Sequence, residues 1–251
     1  MEEIMRYQPV EFFYSYNNLL AIESTRLGGL SKPPFASLNL GAFTNDLKEA
    51  VQQNKEILYT DLGINGDQIA SSFQCHGNEI LNVEKPGYYE GFDALITNKK
   101  NIFLQILVAD CTPILLFDPI HEVVAAIHAG WRGTVNAIVQ KTLDKMTLHF
   151  HTNPSDCFAY VGTCISQSYF EVDKDVADNF DQEFYFFDKE KNKYFIDLKG
   201  CNARALSDAG LMKNHIAISP FCTVKDNDLF FSHRHEKGTT GRFGVIIGIR
   251  K

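Results

Sequence analysis

Short apolar runs, most of them bounded by Gly, Pro, Asn or Asp, recur along the chain and alternate with segments of helical periodicity. Runs of about four to eight apolar residues between such turn formers are typical of β-strands. The pattern therefore predicts strands at about 11–16, 19–24, 68–75, 102–108, 112–118, 122–128, 158–162 and 243–249.

Helical periodicity is clearest after Trp131. An apolar residue recurs there every three or four positions, which predicts one amphipathic helix over about 132–148. The residues that mark its apolar face are Val135, Ile138, Val139, Leu143 and Met146. Similar patterns predict helices near 46–60, 172–182 and 197–209.

The order of these elements favours an α+β (mixed α/β) fold. Three apolar runs follow one another between Ile102 and His128 with short turns, such as Asp118-Pro119, which suggests sheet hairpins. We expect packed mixed β-sheets flanked by helices. No linker or internal repeat divides the chain, so residues 1–251 are expected to form a single compact domain.

Composition and charge argue against several classes of function and location. The net charge of −7 argues against a nucleic-acid partner, which usually requires a cationic surface. Residues 1–16 lack the basic start and apolar run of a signal peptide, and no segment has the roughly 20 apolar residues of a membrane span. The six cysteines contain no CxxC pair, which favours reduced thiols and a cytoplasmic location.

Candidate chemistry lies where three strand-like runs end. The segments Gln74-Cys75-His76-Gly77, Ala109-Asp110-Cys111-Thr112-Pro113 and His128-Ala129-Gly130-Trp131-Arg132-Gly133 each place a Cys or His in a tight loop. Two imidazoles and a thiolate suit zinc, and three protein ligands leave the fourth position open for catalysis. Since the three ligands are 35 and 17 residues apart, only the fold can bring them together. The alternative is that Cys111 is a small buried hydrophobe, as we assume for the other five cysteines.

Anion binding is the second candidate chemistry. Arg132 stands at the predicted start of a helix, where free N–H groups and the helix dipole favour a phosphate. Its alternative partner is Asp110. Arg26 and Arg242 lie in Gly-containing segments and could equally be solvated turn residues. Among the acids, Asp93, Asp110 and Glu171 are candidates to orient a ligand imidazole or act as a base.

Two His-x-His pairs, His149-Phe150-His151 and His233-Arg234-His235, raise the possibility of copper. A multicopper centre needs several such pairs converging with a cysteine, and the chain has eight histidines in all. The copper oxidase interpretation is therefore the weaker one.

Seven segments in this order resemble the YfiH/YlmD family of purine nucleoside phosphorylases, long labelled polyphenol oxidases or laccases. They are the three segments above together with Thr25-Arg26-Leu27-Gly28-Gly29-Leu30-Ser31, Ser37-Leu38-Asn39-Leu40-Gly41, Asp93-Ala94-Leu95-Ile96-Thr97 and Thr240-Gly241-Arg242. The resemblance extends from about residue 19 to 249.

The resemblance implies a zinc ion, replaceable by copper, on His76, Cys111 and His128. It also implies phosphorolysis of adenosine, inosine and methylthioadenosine with inorganic phosphate, and deamination of adenosine to inosine. We expect the three ligands to act in catalysis together with Arg132. We expect Arg26, Asn39, Asp93 and Arg242 to bind substrate.

The chain departs from the family pattern in three places. Gly162-Thr163-Cys164-Ile165-Ser166 replaces Gly-Pro-x-Ile-Gly, Cys75 replaces a valine, and Arg234-His235 replaces two adjacent arginines. Three rival functions remain open. They are a cysteine hydrolase or amidase that edits peptidoglycan precursors with Cys111 and His128, a copper-dependent polyphenol oxidase, and a non-enzymatic binding module.

Overall fold

The computed structural model describes residues 5–251, and its elements form two six-stranded mixed sheets, one three-stranded sheet and flanking helices. The first four residues, which belong to the predicted domain and to the N-terminal segment discussed above, lie outside the described residues. The strands are β1 Tyr7–Pro9, β2 Leu19–Ser24, β3 Ile69–Phe73, β4 Ile80–Asn82, β5 Gly87–Glu90, β6 Ala94–Thr97, β7 Phe103–Val108, β8 Thr112–Asp118, β9 Val123–Ala129, β10 Phe158–Val161, β11 Glu171–Val172, β12 Tyr185–Asp188, β13 Lys193–Ile196, β14 Ile216–Ile218 and β15 Phe243–Ile249. The helices are α1 Lys48–Asp61, α2 Trp131–Val135, α3 Ile138–Phe150, α4 Lys174–Ala177 and α5 Leu198–Asp208.

The first sheet has the order β1-β2-β15-β7-β3-β5 and the second the order β14-β10-β8-β9-β6-β4. In the first sheet β3 runs parallel to β7 and β5, and the remaining pairs are antiparallel. In the second, β8 and β9 form an antiparallel hairpin that pairs Thr112 with Ala129. The third sheet has the order β11-β13-β12.

The main core lies between the two large sheets. Ile106 and Val108 of the first sheet share it with Leu115 and Val124 of the second, and all four are at most 2% exposed. The central strands β8 and β9 are buried along their whole length. A strand covered on both faces needs no polar alternation, which is why these two appear in the sequence as continuous apolar runs.

Helices cover the outer faces of both sheets. Leu58 of α1 packs with Phe103 and Ile246 outside the first sheet, and Met146 of α3 packs with Ile114 outside the second. The chain is therefore two packed sheets between helical layers, so the predicted α+β fold in a single compact unit is confirmed. None of the helices in the described part of the chain has the length and apolarity needed to cross a membrane. All six cysteines are free thiols.

Four predictions about the elements were wrong, either wholly or in part. The run at 11–16 is not a strand, because Glu11–Phe13 form a 3-10 turn and the rings of Phe12, Phe13 and Tyr16 pack against the sheet ends instead. The helix predicted over 132–148 is two helices, since Ala137 adopts φ 58° between α2 and α3. The hairpin prediction holds for β8–β9 but not for β7, which joins the other sheet.

The segment 172–182 also differs from its prediction. Glu171–Val172 pair with β13, and only Lys174–Ala177 are α-helical. Pairing with Phe195 and Tyr194 gives the start of this segment the backbone hydrogen bonds of a strand. The other two predicted helices, α1 and α5, lie within two residues of their predicted bounds.

Candidate metal centre

His76, Cys111 and His128 converge where the two large sheets meet. One ligand atom from each lies within 4.8 Å of the other two. The β8–β9 hairpin accounts for two of them, because its end pairs Thr112 with Ala129, the neighbours of Cys111 and His128. The third comes from the loop after β3, and its ring centroid lies 4.8 Å from that of His128.

The loop that carries His76 is fastened to the first sheet by Gln74. The side-chain amide of Gln74 donates to the carbonyl of Leu107 and accepts from its N–H, both at 2.8 Å. These two bonds continue the β3–β7 pairing with a side chain in place of backbone. His76 itself adopts φ 58°, an uncommon conformation for a residue with a Cβ.

Asp93 holds both histidines of this group in place. Its carboxylate is fully buried and accepts from the N–H groups of Cys75, His76 and Gly77 at 3.2, 3.0 and 2.7 Å. Oδ1 also lies 2.7 Å from Nδ1 of His128. That contact turns Nε2 of His128 toward the other ligands, as outer-shell carboxylates do at metal sites.

The three groups shift one another's pKa values. Burial opposes ionisation of Cys111, yet His128 and His76 lower its pKa below that of an ordinary thiol. Burial likewise opposes protonation of His128, while Cys111 and Asp93 raise its pKa. For Asp93, His128 and the neighbouring N–H groups outweigh burial and lower its pKa. The thiolate, the form that binds metal, is thus favoured at neutral pH.

Gly130 leaves space beside the ligands that a side chain would fill. A Cβ at this position would lie 3.1 Å from Cδ2 of His76 and 3.2 Å from Sγ of Cys111. The donor set of one thiolate and two imidazoles, with room next to it, fits zinc or another transition metal.

The triad lies on the wall of a cavity of about 430 Å³. Other walls come from the loop after Gly41, the end of β3 and the turn around Arg234. The cavity is also lined by Phe43, Phe73, Asp110, Phe170, His233, Arg234 and Arg242.

The structure brings Arg242 to the cavity but not Arg26 or Arg132. Arg26 donates to the carbonyls of Ala36 and Asn227 and pairs with Glu236 at 3.0 Å, so its guanidinium fastens loops together. The exposed Arg132 stacks on its own neighbour Trp131, with 4.4 Å between its guanidinium carbon and the ring centroid. The alternative ion pair between Arg132 and Asp110 does not form either.

Asn39 and Asp110, both buried or half-buried, organise the cavity walls from behind. The Asn39 amide donates to Thr44 and Asp46 and accepts from the N–H groups of Gly41 and Arg242. Asp110, at φ 88°, accepts from the hydroxyls of Thr223 and Ser232 and from the N–H of Arg234.

Those contacts show what sequence reasoning missed. The side chains of Asn39 and Asp93, which we expected to bind substrate, form hydrogen bonds to protein groups, and the contact of Asp93 with His128 is the one expected of an acid that orients a ligand imidazole. Nothing in the local sequence indicated Phe43 and Phe73 as cavity residues, because exposed aromatic residues carry no periodic signal. The metal-binding group found within residues 5–251 contains neither His-x-His pair.

A cavity with a His-Cys-His group on its wall is a candidate site for a single transition-metal ion. Residues 20–250 match the family model described as "Multi-copper polyphenol oxidoreductase laccase", and the chain belongs to this family. The predicted resemblance is confirmed.

Relatives and solved structures agree with this membership. The chain is 32% identical to purine nucleoside phosphorylase YlmD of Bacillus subtilis, over 91% of this chain and 87% of that protein. It is 36% identical to a purine nucleoside phosphorylase of Deinococcus radiodurans, over 90% and 87%. The crystal structure of the hypothetical protein YfiH of Bacillus licheniformis superposes with a TM-score of 0.92 at 30% identity, covering 98% of this chain and 97% of that one. For YlmD of Geobacillus stearothermophilus the TM-score is 0.90 at 32% identity, over 94% and 93%.

Proposed function

We propose that this chain is a zinc-dependent purine nucleoside phosphorylase. It would convert adenosine and inosine with inorganic phosphate into the free base and ribose 1-phosphate, and methylthioadenosine into adenine and methylthioribose 1-phosphate, and would also deaminate adenosine to inosine. One observation carries the proposal: the His76–Cys111–His128 group and Arg242 line the same cavity. The names of the relatives support the substrate class.

His76, Cys111 and His128 would hold the metal, with Asp93 fixing the imidazole of His128. When bound, zinc supplies a Lewis acid beside the reacting sugar or base. The same three donors also accept copper, which binds more tightly than zinc in the affinity order of divalent metals. We propose that zinc is the metal that supports turnover and that copper can replace it at this site.

Arg242 would hold the phosphate. Its Nη1 donates to the carbonyls of Thr240 and Gly241. Within residues 5–251, Nε and Nη2 form no hydrogen bond to the protein, so both can donate to a ligand. Its backbone N–H is fixed by Asn39 at 2.8 Å. A guanidinium held at one end presents its other N–H groups to two oxygens of one anion. In phosphorolysis a phosphate oxygen bonds to C1′ while the C1′–N9 bond breaks and the base leaves with the electron pair. Arg242 would hold that oxygen in place.

The test compares Arg242→Met with Arg132→Met, two changes that remove the same charge. For Arg242→Met we expect the KM for phosphate to rise roughly 10- to 100-fold, the effect of losing hydrogen bonds to a charged group. Deamination of adenosine, which uses no phosphate, should change by less than about threefold, since none of those bonds is involved. Arg132→Met should leave both reactions near wild type. Equal losses of both activities in Arg242→Met, at wild-type metal content, would refute the phosphate role.

A cysteine hydrolase acting on peptidoglycan precursors is the second candidate. The observation that favours it is the row Asp93–His128–Cys111, in which a carboxylate orients an imidazole beside a thiol of lowered pKa. Iodoacetamide separates the two functions. If Cys111 is a metal ligand, zinc should protect it from alkylation, and the metal-free protein should be inactive. A metal-free protein that hydrolyses muropeptide amides and loses this activity on alkylation would establish the hydrolase instead.

A further inference from the structure

Three aromatic rings meet at the exposed rim of the cavity. Phe43, Phe73 and Tyr88 are 71%, 44% and 51% exposed. The ring centroids of Phe43 and Phe73 are 4.9 Å apart with the planes at 78°, and those of Phe43 and Tyr88 are 6.1 Å apart at 33°. Exposed apolar groups that touch one another are typical of binding sites rather than of ordinary surface.

Two of these rings face the site already described. Phe43 and Phe73 line the cavity that holds the triad and Arg242, whereas Tyr88 stands behind them outside its lining. Phe73 is the last residue of β3, three positions before His76. Three residues of extended chain span about 10 Å at most, so the aromatic wall and the metal ligand lie within reach of one small molecule.

The loop that carries Phe43 is fixed at its base. Asn39 donates to Oγ1 of Thr44 and to Oδ2 of Asp46, each at 2.9 Å, and it accepts from the N–H of Gly41. These bonds bracket Phe43 on both sides along the chain. The ring is thus presented to the cavity by a shaped loop, which lowers the entropic cost of binding a ligand against it.

Polar groups around the rings already have protein partners. The Gln74 amide is used by both backbone groups of Leu107, and Oγ of Ser72 accepts from the N–H of Phe92 at 3.1 Å. The wall therefore offers ring faces more than hydrogen bonds. A flat heteroaromatic ring is the ligand group that such a wall stacks on.

We propose that Phe43 and Phe73 form the base subsite, on which the purine ring of the nucleoside stacks, with Tyr88 supporting Phe43 from outside. This places the base at the rim and the sugar between the rings and Arg242. The proposal rests on the proposed function and assigns the residues that bind the base.

The reverse reaction tests it, because base and sugar phosphate are then separate substrates. In Phe43→Ala and Phe73→Ala, the KM for hypoxanthine should rise roughly 5- to 100-fold, the range found when a stacking ring is removed. The KM for ribose 1-phosphate should stay within about twofold, since that substrate has no ring to stack. Phe43→Tyr, which keeps the ring, should restore the wild-type KM for the base. Leu47→Ala is the matched control, because Leu47, at the start of α1 just after this loop, is 69% exposed and is not among the residues that line the cavity.

Three results would overturn the base subsite. The first is an unchanged KM for hypoxanthine in both alanine variants at wild-type metal content and melting temperature. The second is an equal rise of both KM values, which would mean a general loss of structure. The third concerns the molecular mass in solution. If the mass of the wild type increases with protein concentration, and Phe43→Ala lowers this mass without changing the affinity for the base, the rings are an interface between two copies of the chain.

The failure of the proposed function has a different signature. If the wild-type protein catalyses neither direction, calorimetric titration with adenine still decides the base subsite. Wild-type binding that weakens in Phe43→Ala and returns in Phe43→Tyr supports stacking without any turnover. Absence of adenine binding to the wild-type protein, at concentrations well above those of ordinary substrates, would reject it.

Discussion

Cys111 and His128 are held by the central hairpin β8–β9, whereas Phe43 and Arg234 reach the same cavity from exposed loops. His128 is 3% exposed and hydrogen-bonded through Asp93, while Phe43 is 71% exposed. The difference separates two tasks. Two of the three proposed metal ligands lie in or next to buried strands, which keep the distance between them fixed. The third, His76, lies on a loop that the hydrogen bonds of Gln74 and Asp93 hold in place. Groups that recognise a substrate can lie on loops that adjust. Mutations on the two sides should accordingly change different quantities, metal content on one and KM on the other.

Replacing Cys111 should have the largest effect. Cys111→Ser removes the thiolate, and we expect zinc content to fall from about one per chain to a small fraction, because three-ligand sites depend on each ligand. The loss of affinity should exceed the roughly 100-fold that removal of an outer-shell partner costs. Elemental analysis of the purified variants measures this directly.

Cys75→Ser is the control for that substitution, since Cys75 is an exposed thiol next to His76 that is not part of the converging group. It should retain its metal. If Cys75→Ser loses zinc as completely as Cys111→Ser, the ligand set is not the one proposed, and metal binding does not depend specifically on the β8–β9 hairpin.

Replacing Asp93 should have the second largest effect. Asp93→Asn weakens the bond that orients His128, so zinc affinity should fall about 10- to 100-fold, measured by competition with a chelator. The chain offers a matched carboxylate–imidazole pair at the other end of the same hairpin, where Oδ2 of Asp118 lies 2.9 Å from Nδ1 of His121. Asp118→Asn should lower stability without changing zinc affinity. An equal loss of affinity in both variants would show that hairpin stability, rather than orientation of His128, controls the metal.

Replacing Asn39 should act on the loop side alone. Asn39→Ala removes the bonds that hold the Phe43 loop and the backbone of Arg242, so the KM values for nucleoside and for phosphate should both rise, by roughly 5- to 30-fold if one to two net hydrogen bonds are lost. Zinc content should remain at the wild-type value. Steady-state kinetics together with elemental analysis check this, and loss of zinc would show that the two sides are coupled.

From the sequence, the β8–β9 hairpin and its two proposed metal ligands could be predicted, whereas most cavity residues on the loops could not. Runs such as 112–118 and 122–128 could be predicted because strands covered on both faces are continuously apolar, and their hairpin brings Cys111 to His128. Asp93 could be proposed only as one of three acids to orient a ligand imidazole, since the residues that it contacts become neighbours only after the sheets pack. Arg132 was preferred to Arg242 because a helix start is visible in a sequence, whereas the direction of a guanidinium is not. The metal-ligand assignment itself stays a prediction until the ion is measured.

The smallest expected effect concerns a second buried carboxylate, which sharpens the contrast with Asp93. Glu23 of β2 is 1% exposed and accepts from the N–H and hydroxyl of Thr163 and from the hydroxyl of Tyr160, so it joins the two large sheets through neutral donors. Burial, opposed by these bonds and by Lys199, raises the pKa of Glu23, whereas the pKa of Asp93 beside His128 is lowered.

A raised carboxyl pKa means that the folded protein releases this proton at higher pH than the unfolded chain. The contribution of Glu23 to stability is therefore fully present below its unfolded pKa of 4.5 and decreases as pH rises toward its folded pKa. We expect the free energy of unfolding of the wild type, relative to Glu23→Gln, to decrease between pH 4 and pH 7. Urea unfolding at several pH values measures it, with the exposed Glu49→Gln as the variant that should show no such trend. If the difference instead grows with pH, the three donors outweigh burial, and Glu23 is held as a carboxylate in the same manner as Asp93.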